Sequence, residues 1–418
     1  MSTATAATSA TSGPSATSGS SGPSAPPVKV LSGIRVLDLG SFITAPYAAM
    51  LLGELGADVI KIEKPGSGDP FRSFKGGDYS PHFQAHNRNK RSVALDFAKP
   101  AGRDALDALI RSADVLLVNV RPGIEEKIGL GEARLKALNP RLVFCYITGF
   151  GSDGPYAERP AYDNVGQAIS GWLSMFHQGS DARVPGPAVS DALTGLYGAL
   201  GICAALVERS RTGIGRRIDV SMLEATVAFA TEPLGQLFAT GQPVSFYSRS
   251  SASQSYIVTC KDGERIGLHL SSPDKFWEGL AKAIGREDLL ASYPNRAARV
   301  AAYELLAKEL ATTFATRDRD EWLPLLEAND VPFAPERRLH ELADDPQLRH
   351  LETFYEIEHP TRGTVKAAHR AIRYDGDQRS DFAAPPALGE HTDEVLREAG
   401  LSDERIAAMH AERLISRA

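Results

Sequence analysis

One carboxylate, Asp191, stands at the predicted first turn of an apolar helix within the segment AVSDALTGLYGALG (residues 188–201). A carboxylate at this place can cap the helix by accepting hydrogen bonds from its free amides, and Ser190 could do the same. It can also act as a nucleophile, since the helix dipole keeps it ionised and would stabilise an oxyanion that forms beside it. The local sequence favours the cap, because serine and aspartate are common capping residues, and both interpretations stay open at this point.

The same helix carries Gly195, Gly198 and Gly201 at every third position. One side of the helix therefore lacks side chains, which permits the close approach of another backbone or of a ligand. Tight helix packing is the favoured interpretation for Gly198 and Gly201.

Polar and basic residues follow several predicted strands. In an open α/β sheet, ligands gather beyond the carboxyl ends of the strands. Such positions are held here by Lys64, Asn119, Arg121 and Lys127. The run HNRNKR (residues 86–91) precedes another strand and adds Arg88, Lys90 and Arg91. These groups suit the phosphates of a ligand, with a solvated basic face as the alternative.

The elements that must position these residues alternate between short apolar runs and helical stretches. A helix is predicted for APYAAMLLGEL, with Pro46 in its first turn. Near-continuous apolar strands that alternate with helices indicate a parallel sheet covered on both faces, in a doubly wound, Rossmann-like α/β fold. The first strand–helix turn lacks GxGxxG, so this topology alone does not imply NAD. The predicted strands are IRVLDL (34–39), DVIKIE (58–63), SVALD (92–96), DVLLVNV (114–120) and LVFCYITGF (142–150).

The second half of the chain has a different texture. After a short strand, RRIDVSM, one helix is predicted over Leu223–Gly241 and an irregular stretch over Pro243–Ser255. A hairpin with the turn Asp262-Gly263 and several helices then indicate a smaller α+β domain. The amphipathic segment SDERIAAMHAERL follows near the end. We expect an uncharged, disordered tail at 1–28, a large domain at 29–242, the small domain with linkers at 243–340, and a return to the large domain at 341–418.

The bulk composition excludes several classes of protein. The 418 residues carry a net charge of −6, whereas a nucleic-acid-binding protein would show a basic excess. No run approaches the length of a transmembrane helix, so no membrane partner is expected. Cys145, Cys203 and Cys260 lie in apolar runs, which is typical of free thiols in a reducing compartment and predicts a cytoplasmic protein. No cysteine or histidine spacing indicates a metal site.

Six segments, in order along the chain, together resemble the family III CoA-transferases, which include formyl-CoA transferase and carnitine CoA-transferase. The resemblance runs from about Leu31 to Leu414. It implies a Rossmann-like sheet domain with a smaller domain and an interlocked homodimer. The segments are GIRVLDLGSFITAPYAAMLLGELGADVIKIEKPGSGDPFR, HNRNKRSVALDF, ADVLLVNVRPG, PAYDNVGQAISG, AVSDALTGLYGALG and LGEHTDEVLREAGL.

The resemblance implies that Asp191 is the nucleophile of a CoA transfer from an acyl-CoA to a carboxylic acid, a small dicarboxylate or hydroxy acid. The reaction would pass through an aspartyl anhydride and an aspartyl-CoA thioester, with coenzyme A as co-substrate and no metal or other cofactor. Lysine stands at 64 and 127 where the family often has arginine, and it loses the bidentate fork. The implied CoA contacts are Ile43, Thr44, Lys64, Leu95, Asp96, Phe97, Ala98, Asn119, Val120, Arg121 and Lys127.

Two departures from the family pattern bear on function. The stretch SRSSASQSY lacks the glycines of the flexible loop that covers the nucleophile in some members. Racemases of the superfamily have a histidine base where this chain has Tyr162, and a phenol is a poor base at neutral pH. An acyl-CoA racemase or isomerase is therefore the weaker alternative. A non-catalytic acyl-CoA-binding protein is a further alternative, and an NAD oxidoreductase rests on topology alone.

Overall fold

The computed structural model describes residues 27–176, 182–271, 274–359, 363–379 and 382–418. All but the last two residues of the predicted tail at 1–28 lie outside these ranges. The described strands are β1 Arg35–Asp38, β2 Asp58–Glu63, β3 Lys90–Leu95, β4 Val115–Val118, β5 Val143–Thr148, β6 Arg217–Ser221, β7 Ser255–Thr259, β8 Arg265–His269, β9 Phe333–Pro335, β10 Phe354–His359, β11 Gly363–Ala368 and β12 Ile415–Ser416.

The helices alternate with the strands in the first half of the chain and predominate in the second. In the described ranges they are α1 Thr44–Glu54, α2 Pro81–Asn87, α3 Pro100–Ser112, α4 Ile124–Lys127, α5 Glu132–Leu138, α6 Asp163–Ile169, α7 Val189–Thr212, α8 Met222–Phe229, α9 Thr231–Thr240, α10 Ser248–Ser253, α11 Asp274–Ala283, α12 Asp288–Ser292, α13 Arg296–Ala301, α14 Tyr303–Phe314, α15 Arg319–Ala328, α16 Pro346–His350, α17 Thr392–Glu398 and α18 Asp403–Ala411.

The main sheet has the strand order β12-β3-β2-β1-β4-β5-β6. The strands from β3 to β6 are parallel, with Val36 of β1 opposite Val59 of β2 and Val115 of β4. Every residue of β4 and β5 is buried, as expected of strands covered on both faces. The predicted parallel α/β sheet is confirmed, and the order reverses direction between β1 and β4.

Each face of this sheet carries its own hydrophobic core. On one face, α3 and α5 pack against the strands together with α17, α18 and Leu414. On the other face, α1 and α7 cover the sheet, and Ala48, Ala199 and Ile202 lie among the buried residues. Residues from both ends of the described sequence thus build the first core, since β12 pairs antiparallel with β3.

The second half has a separate core around the antiparallel sheet β7-β8-β9. The hairpin predicted at Asp262-Gly263 joins β7 and β8, with Gly263 at a φ of 83°. Two expectations here are wrong. The stretch predicted as irregular contains the helix α10, and the helix predicted over Leu223–Gly241 is broken at Ala230 into α8 and α9.

Helix α7 corrects another expectation. With 24 residues, this helix is long and apolar enough, by length and composition alone, to cross a membrane. No run of that length was expected from the sequence. Half of its most apolar window is buried within the fold, where the helix packs against α1, α6 and α8.

Candidate active site

A cleft of about 360 Å³ opens at the carboxyl edge of the main sheet, beside the ends of β1, β4 and β5. This is the point at which the strand order reverses, where open α/β sheets bind ligands. Its walls come from the turn after β1, the turn after β4, the loop before α6 and the start of α7. The lining includes Phe42, Ile43, Thr44, Asn119, Val120, Arg121, Thr148, Gly149, Arg159, Tyr162, Asp191 and Met222.

The turn from β1 into α1 is held rigidly by Asn119. Its Oδ1 accepts the Ser41 N–H at 2.9 Å, and its Nδ2 donates to Ser41 O at 2.8 Å and to Thr44 Oγ1 at 2.9 Å. Phe42 lies between these anchors at a φ of 62°, which is strained for a residue with a side chain. The Asn119 amide is therefore occupied in shaping the turn that lines the cleft.

A group of buried charges supports the same turn from below. Lys61 Nζ donates to Gly40 O at 2.8 Å and pairs with Asp69 at 2.9 Å. Lys90 Nζ pairs with Asp38 at 2.8 Å, and Asp38 accepts the Gly40 N–H. Both lysine side chains are fully buried, so their charges are balanced within the protein.

Asp191 lies at the third position of α7, in the predicted first turn of the helix. It is only 8% exposed, and the N-cap residue of this helix is Ala188, which makes no side-chain hydrogen bond to the helix end. Ser190 does not cap the helix either, since its hydroxyl lies 2.6 Å from Thr226 Oγ1 on α8. The capping interpretation is therefore wrong for both residues, and the Asp191 carboxylate is left facing the cleft.

The surroundings of Asp191 disfavour its negative charge. Burial, and then the nearby carboxylate of Asp163, raise the pKa of Asp191 to about 7. A carboxyl whose pKa lies near neutral is more basic, and hence a stronger nucleophile when ionised, than an ordinary surface aspartate. A strongly raised pKa inside a cleft is typical of a functional group.

The structure brings together about half of the predicted CoA-binding residues. Ile43, Thr44, Asn119, Val120 and Arg121 line the cleft with Asp191. The other predicted contacts lie outside its lining, at the neighbouring strand ends or on α4; they are Lys64, Leu95, Asp96, Phe97, Ala98 and Lys127.

Those outlying residues differ in what they can offer a ligand. Lys64 directly after β2 and Lys127 at the end of α4 are exposed. The Leu95 side chain is 1% exposed within the core, and Phe97 packs against the same core. Asp96 donates its N–H to Leu414 O at 2.7 Å, which ties this strand end to the C-terminal segment.

The basic run at residues 86–91 does not reach the cleft. It ends in Lys90 and Arg91, the first two residues of β3, and so lies at the amino end of that strand. Arg88 is paired with Glu54, and Arg91 with Asp58, Glu394 and Glu398. Together with the buried Lys90, these residues hold the fold together, and the phosphate-binding interpretation is wrong for all three.

Sequence reasoning missed Arg159 and Asp163. Arg159 lines the cleft, and its guanidinium carbon lies 4.0 Å from the centre of the Tyr156 ring. Tyr162 is 62% exposed and meets Phe42 edge-on at a ring distance of 5.8 Å. Asp163 follows Tyr162 in the motif AYDNVGQAISG, but nothing in the sequence indicated that its side chain would meet Asp191.

Phe42, Tyr162, Phe176 and the serine-rich stretch, which are the irregular segments that could line an acyl pocket, are dispersed. Phe42 and Tyr162 line the cleft, Phe176 packs on Trp172 at a ring distance of 5.1 Å, and residues 177–181 lie outside the described ranges. The serine-rich stretch instead borders a separate cavity of about 1100 Å³ in the small domain. There, Ser255 Oγ lies 2.9 Å from His269 Nδ1.

Comparison with known proteins gives consistent matches. The family model described as CoA-transferase family III matches residues 31–392. A formyl-CoA:oxalate CoA-transferase of Rhodopseudomonas palustris (strain TIE-1) is 33% identical and is aligned over 91% of this chain and 96% of that protein. A human succinyl-CoA:glutarate CoA-transferase is 32% identical over 90% of this chain and 88% of that protein.

Solved structures agree with these sequence matches. A CAIB/BAIF family protein from Brucella suis superposes with a TM-score of 0.77 at 29% identity, covering 88% of this chain and 99% of that one. The Mycobacterium tuberculosis protein Rv3272 superposes with a TM-score of 0.78 at 29% identity, covering 89% of this chain and 100% of that one.

Proposed function

This chain belongs to CoA-transferase family III, and on that premise we propose that Asp191 is the nucleophile with which it moves CoA from an acyl-CoA to a free carboxylic acid. The placement of Asp191 carries the proposal. It is a buried carboxylate that does not cap its own helix, its pKa is raised to about 7, and it faces a cleft at the carboxyl edge of the sheet.

The reaction divides into exchanges of a carboxylate for a thiolate. Asp191 attacks the thioester carbonyl, the C–S bond breaks, and CoA leaves as a thiolate while a mixed anhydride remains on Asp191. The thiolate then attacks the aspartyl carbonyl, which releases the donor acid and leaves an aspartyl-CoA thioester. The acceptor carboxylate reverses these two steps. Both half-reactions, from the donor acyl-CoA to the aspartyl-CoA thioester and from that thioester to the product acyl-CoA, balance without ATP, a metal or another cofactor.

The cleft also suggests how the substrates bind. The Ile43–Thr44 turn, Asn119–Arg121 and the exposed Lys64 and Lys127 would hold the CoA, whose phosphates suit cationic side chains. Leu95, Asp96, Phe97 and Ala98 could contact it only at the neighbouring strand end.

The acceptor we propose is a small dicarboxylate or hydroxy acid. Two relatives are named for oxalate and glutarate, which are dicarboxylates. Arg121 and Arg159 add positive charge to the same cleft as Asp191, which suits an anionic acceptor.

We further propose that the protein is a homodimer and works in the cytoplasm. One side of α7 exposes Leu196, Leu200 and Val207 by 52%, 62% and 60%, a stripe at helical spacing that a partner subunit would cover. The thiols of Cys145, Cys203 and Cys260 are free, in keeping with a reducing compartment.

A trapping experiment tests the role of Asp191. The protein is incubated with an acyl-CoA and quenched with hydroxylamine or borohydride, and peptides are analysed by mass spectrometry. We expect a modification at Asp191 in the wild type, and no modification and no turnover with Asp191→Ala. Asp153→Asn, an exposed acid in the loop after β5, is the matched control and should behave like the wild type.

Three results would contradict the proposal. The first is an active Asp191→Ala variant together with an unmodified Asp191 in the wild type. The second is exchange of deuterium into the 2-position of the acyl group in the absence of an acceptor acid, which would indicate an isomerase. Tight CoA binding without turnover across a panel of acids would indicate a binding protein.

A further inference from the structure

A second carboxylate, that of Asp163, is fixed against the start of α7. Its Oδ1 accepts the backbone N–H of Asp191 at 3.2 Å, and its Oδ2 accepts Gln167 Nε2 at 2.6 Å. Gln167 lies one turn further along α6 and is 3% exposed. Because both oxygens have partners, the Asp163 carboxylate has one defined orientation beside Asp191.

The fold makes this approach possible through Gly166, which lies between Asp163 and Gln167 on α6. A Cβ atom at this position would lie 2.4 Å from Ser190 Oγ and 2.5 Å from Met222 Sδ. Any larger residue would force the Ser190 and Met222 side chains, or α6 itself, to move. The proximity of the two carboxylates is therefore built into the packing of three helices.

We propose that Asp163 is a positioning residue for Asp191. The negative charge of Asp163 repels the ionised Asp191 carboxylate, and this repulsion is released when Asp191 forms its covalent intermediates. This inference rests on the proposed function of Asp191. Attack on the thioester forms an O–C bond, breaks the C–S bond and leaves the electron pair on the CoA sulfur. Residue 191 thereby loses its charge, and the repulsion from Asp163 ends.

The relief from this repulsion lasts throughout the covalent phase of the reaction. Residue 191 is uncharged both as the anhydride and as the CoA thioester, so both intermediates gain relative to the free carboxylate. The negative charge has moved to the thiolate or to the departing acid, which can leave the cleft. Gln167 keeps Asp163 in place without neutralising it, because an amide donates a hydrogen bond but carries no charge.

The electrostatic surroundings of Asp191 agree with this role. After burial, Asp163 is the charge that raises the pKa of Asp191. Other ionisable side chains lie on the elements packed against α7 or in the cleft wall; these are Tyr47 on α1, Cys145 on β5, Asp219 on β6, Glu224 on α8, Arg121 and Arg159. Glu224 accepts a hydrogen bond from Ser221 Oγ at 2.6 Å.

The substitution Asp163→Asn tests the charge while retaining the shape and an acceptor for the Asp191 N–H. We measure the pH dependence of kcat/KM, and the single-turnover rate of the hydroxylamine-trappable adduct at pH 8. We expect the acidic limb of the profile to move about one pH unit lower, because a like charge has been removed. The adduct should also form on the order of tenfold more slowly, which corresponds to about 1.4 kcal/mol.

Two further variants make the test specific. Glu158→Gln removes an exposed negative charge from the loop before α6 and should change neither the acidic limb nor the rate. Gln167→Met frees Asp163 to turn toward solvent and should move the acidic limb in the same direction by a smaller amount. This variant also supplies the measurement if Asp163→Asn does not fold.

The outcomes separate this inference from the function on which it depends. A slower reaction with an unmoved acidic limb in Asp163→Asn would show a merely structural role and overturn the inference. A rate and profile equal to those of the wild type would do so as well. Failure of the proposed function would appear differently, as the absence of any adduct on Asp191 in the wild type.

Discussion

At the scale of single residues, the charge on Asp191 is costly to the folded protein. Its pKa lies at about 7 in the folded state, above the ordinary value of an aspartate in the unfolded chain. Ionisation therefore favours the unfolded state. The contribution of this group to stability is fully present below about pH 4 and is lost as the pH rises through about 7.

The substitution Asp191→Asn should consequently stabilise the inactive protein at neutral and alkaline pH. We expect a higher free energy of unfolding than in the wild type at pH 8, by about 4 kcal/mol, with the difference shrinking as the pH falls from 7 to 5. Thermal and urea unfolding across this pH range measure it. Asp153→Asn should show no such dependence, and an Asp191→Asn variant less stable than the wild type at pH 8 would refute the argument.

The sequence predicted the place of Asp191 in the first turn of a helix but not its chemistry. A pKa depends on burial and on neighbours distant in sequence, and Asp163 precedes Asp191 by 28 positions. The basic run at residues 86–91 was misinterpreted for a related reason. Its partners Glu54, Asp58 and Asp38 come from other strands and helices, and local sequence cannot reveal them.

At the scale of elements, the contact between α1 and α7 positions both sides of the cleft. A Cβ atom at Gly195 would lie 2.7 Å from Thr44 O and 2.9 Å from the Tyr47 ring. Gly198 on the same helix has only ordinary contacts, the nearest atom being 3.5 Å away, and a Cβ at Gly201 would meet Ile218 at 3.1 Å. Of these three glycines, Gly195 is therefore the one that the α1 backbone approaches most closely.

We expect Gly195→Ala to destabilise the protein by about 1–3 kcal/mol and to weaken CoA binding, because α1 must move and carries Thr44 with it. The matched substitution Gly198→Ala should be neutral or stabilising by about 0.5–1 kcal/mol, since alanine is the better helix former. Urea unfolding and calorimetric CoA titration measure both effects. Equal stabilities for the two variants would contradict the packing argument.

The strands of the main sheet were predictable to within about two residues at each end. Buried strands such as β2 and β5 are continuous apolar runs between turn residues, and this pattern needs no tertiary information. The short β12 was missed because a strand of two residues, Ile415 and Ser416, is too short to show a hydrophobic repeat. The helix α10 was missed because serine disfavours helices in isolation.

At the scale of the whole molecule, further large apolar side chains are exposed on the two helices that follow the α7 stripe in the chain. Phe229 on α8 and Phe238 on α9 are 52% and 79% exposed. Exposed apolar side chains such as the stripe on α7 are typical of a protein–protein interface. The sequence indicated an apolar helix, but only the fold reveals which side of it is left uncovered.

The substitution Leu200→Asp should therefore shift the proposed dimer toward monomer. We expect the molar mass measured by light scattering after size-exclusion chromatography to fall, because a charge would be buried at the interface. Leu339→Asp alters an isolated leucine that is 89% exposed and should leave the mass unchanged. A wild-type protein that is monomeric at micromolar concentration would refute the dimer itself.

The order in which the main sheet is assembled has a consequence for synthesis on the ribosome. The parallel strands are complete by Ser221, but β12, which covers the edge of β3, arrives only after the entire small domain has been made. Until then the backbone of β3 remains an open edge, and such edges invite pairing with other chains. Newly made protein is thus most exposed to aggregation while the second half of the chain is being translated. A ribosome that stalls in this region would release a fragment that is particularly prone to aggregate.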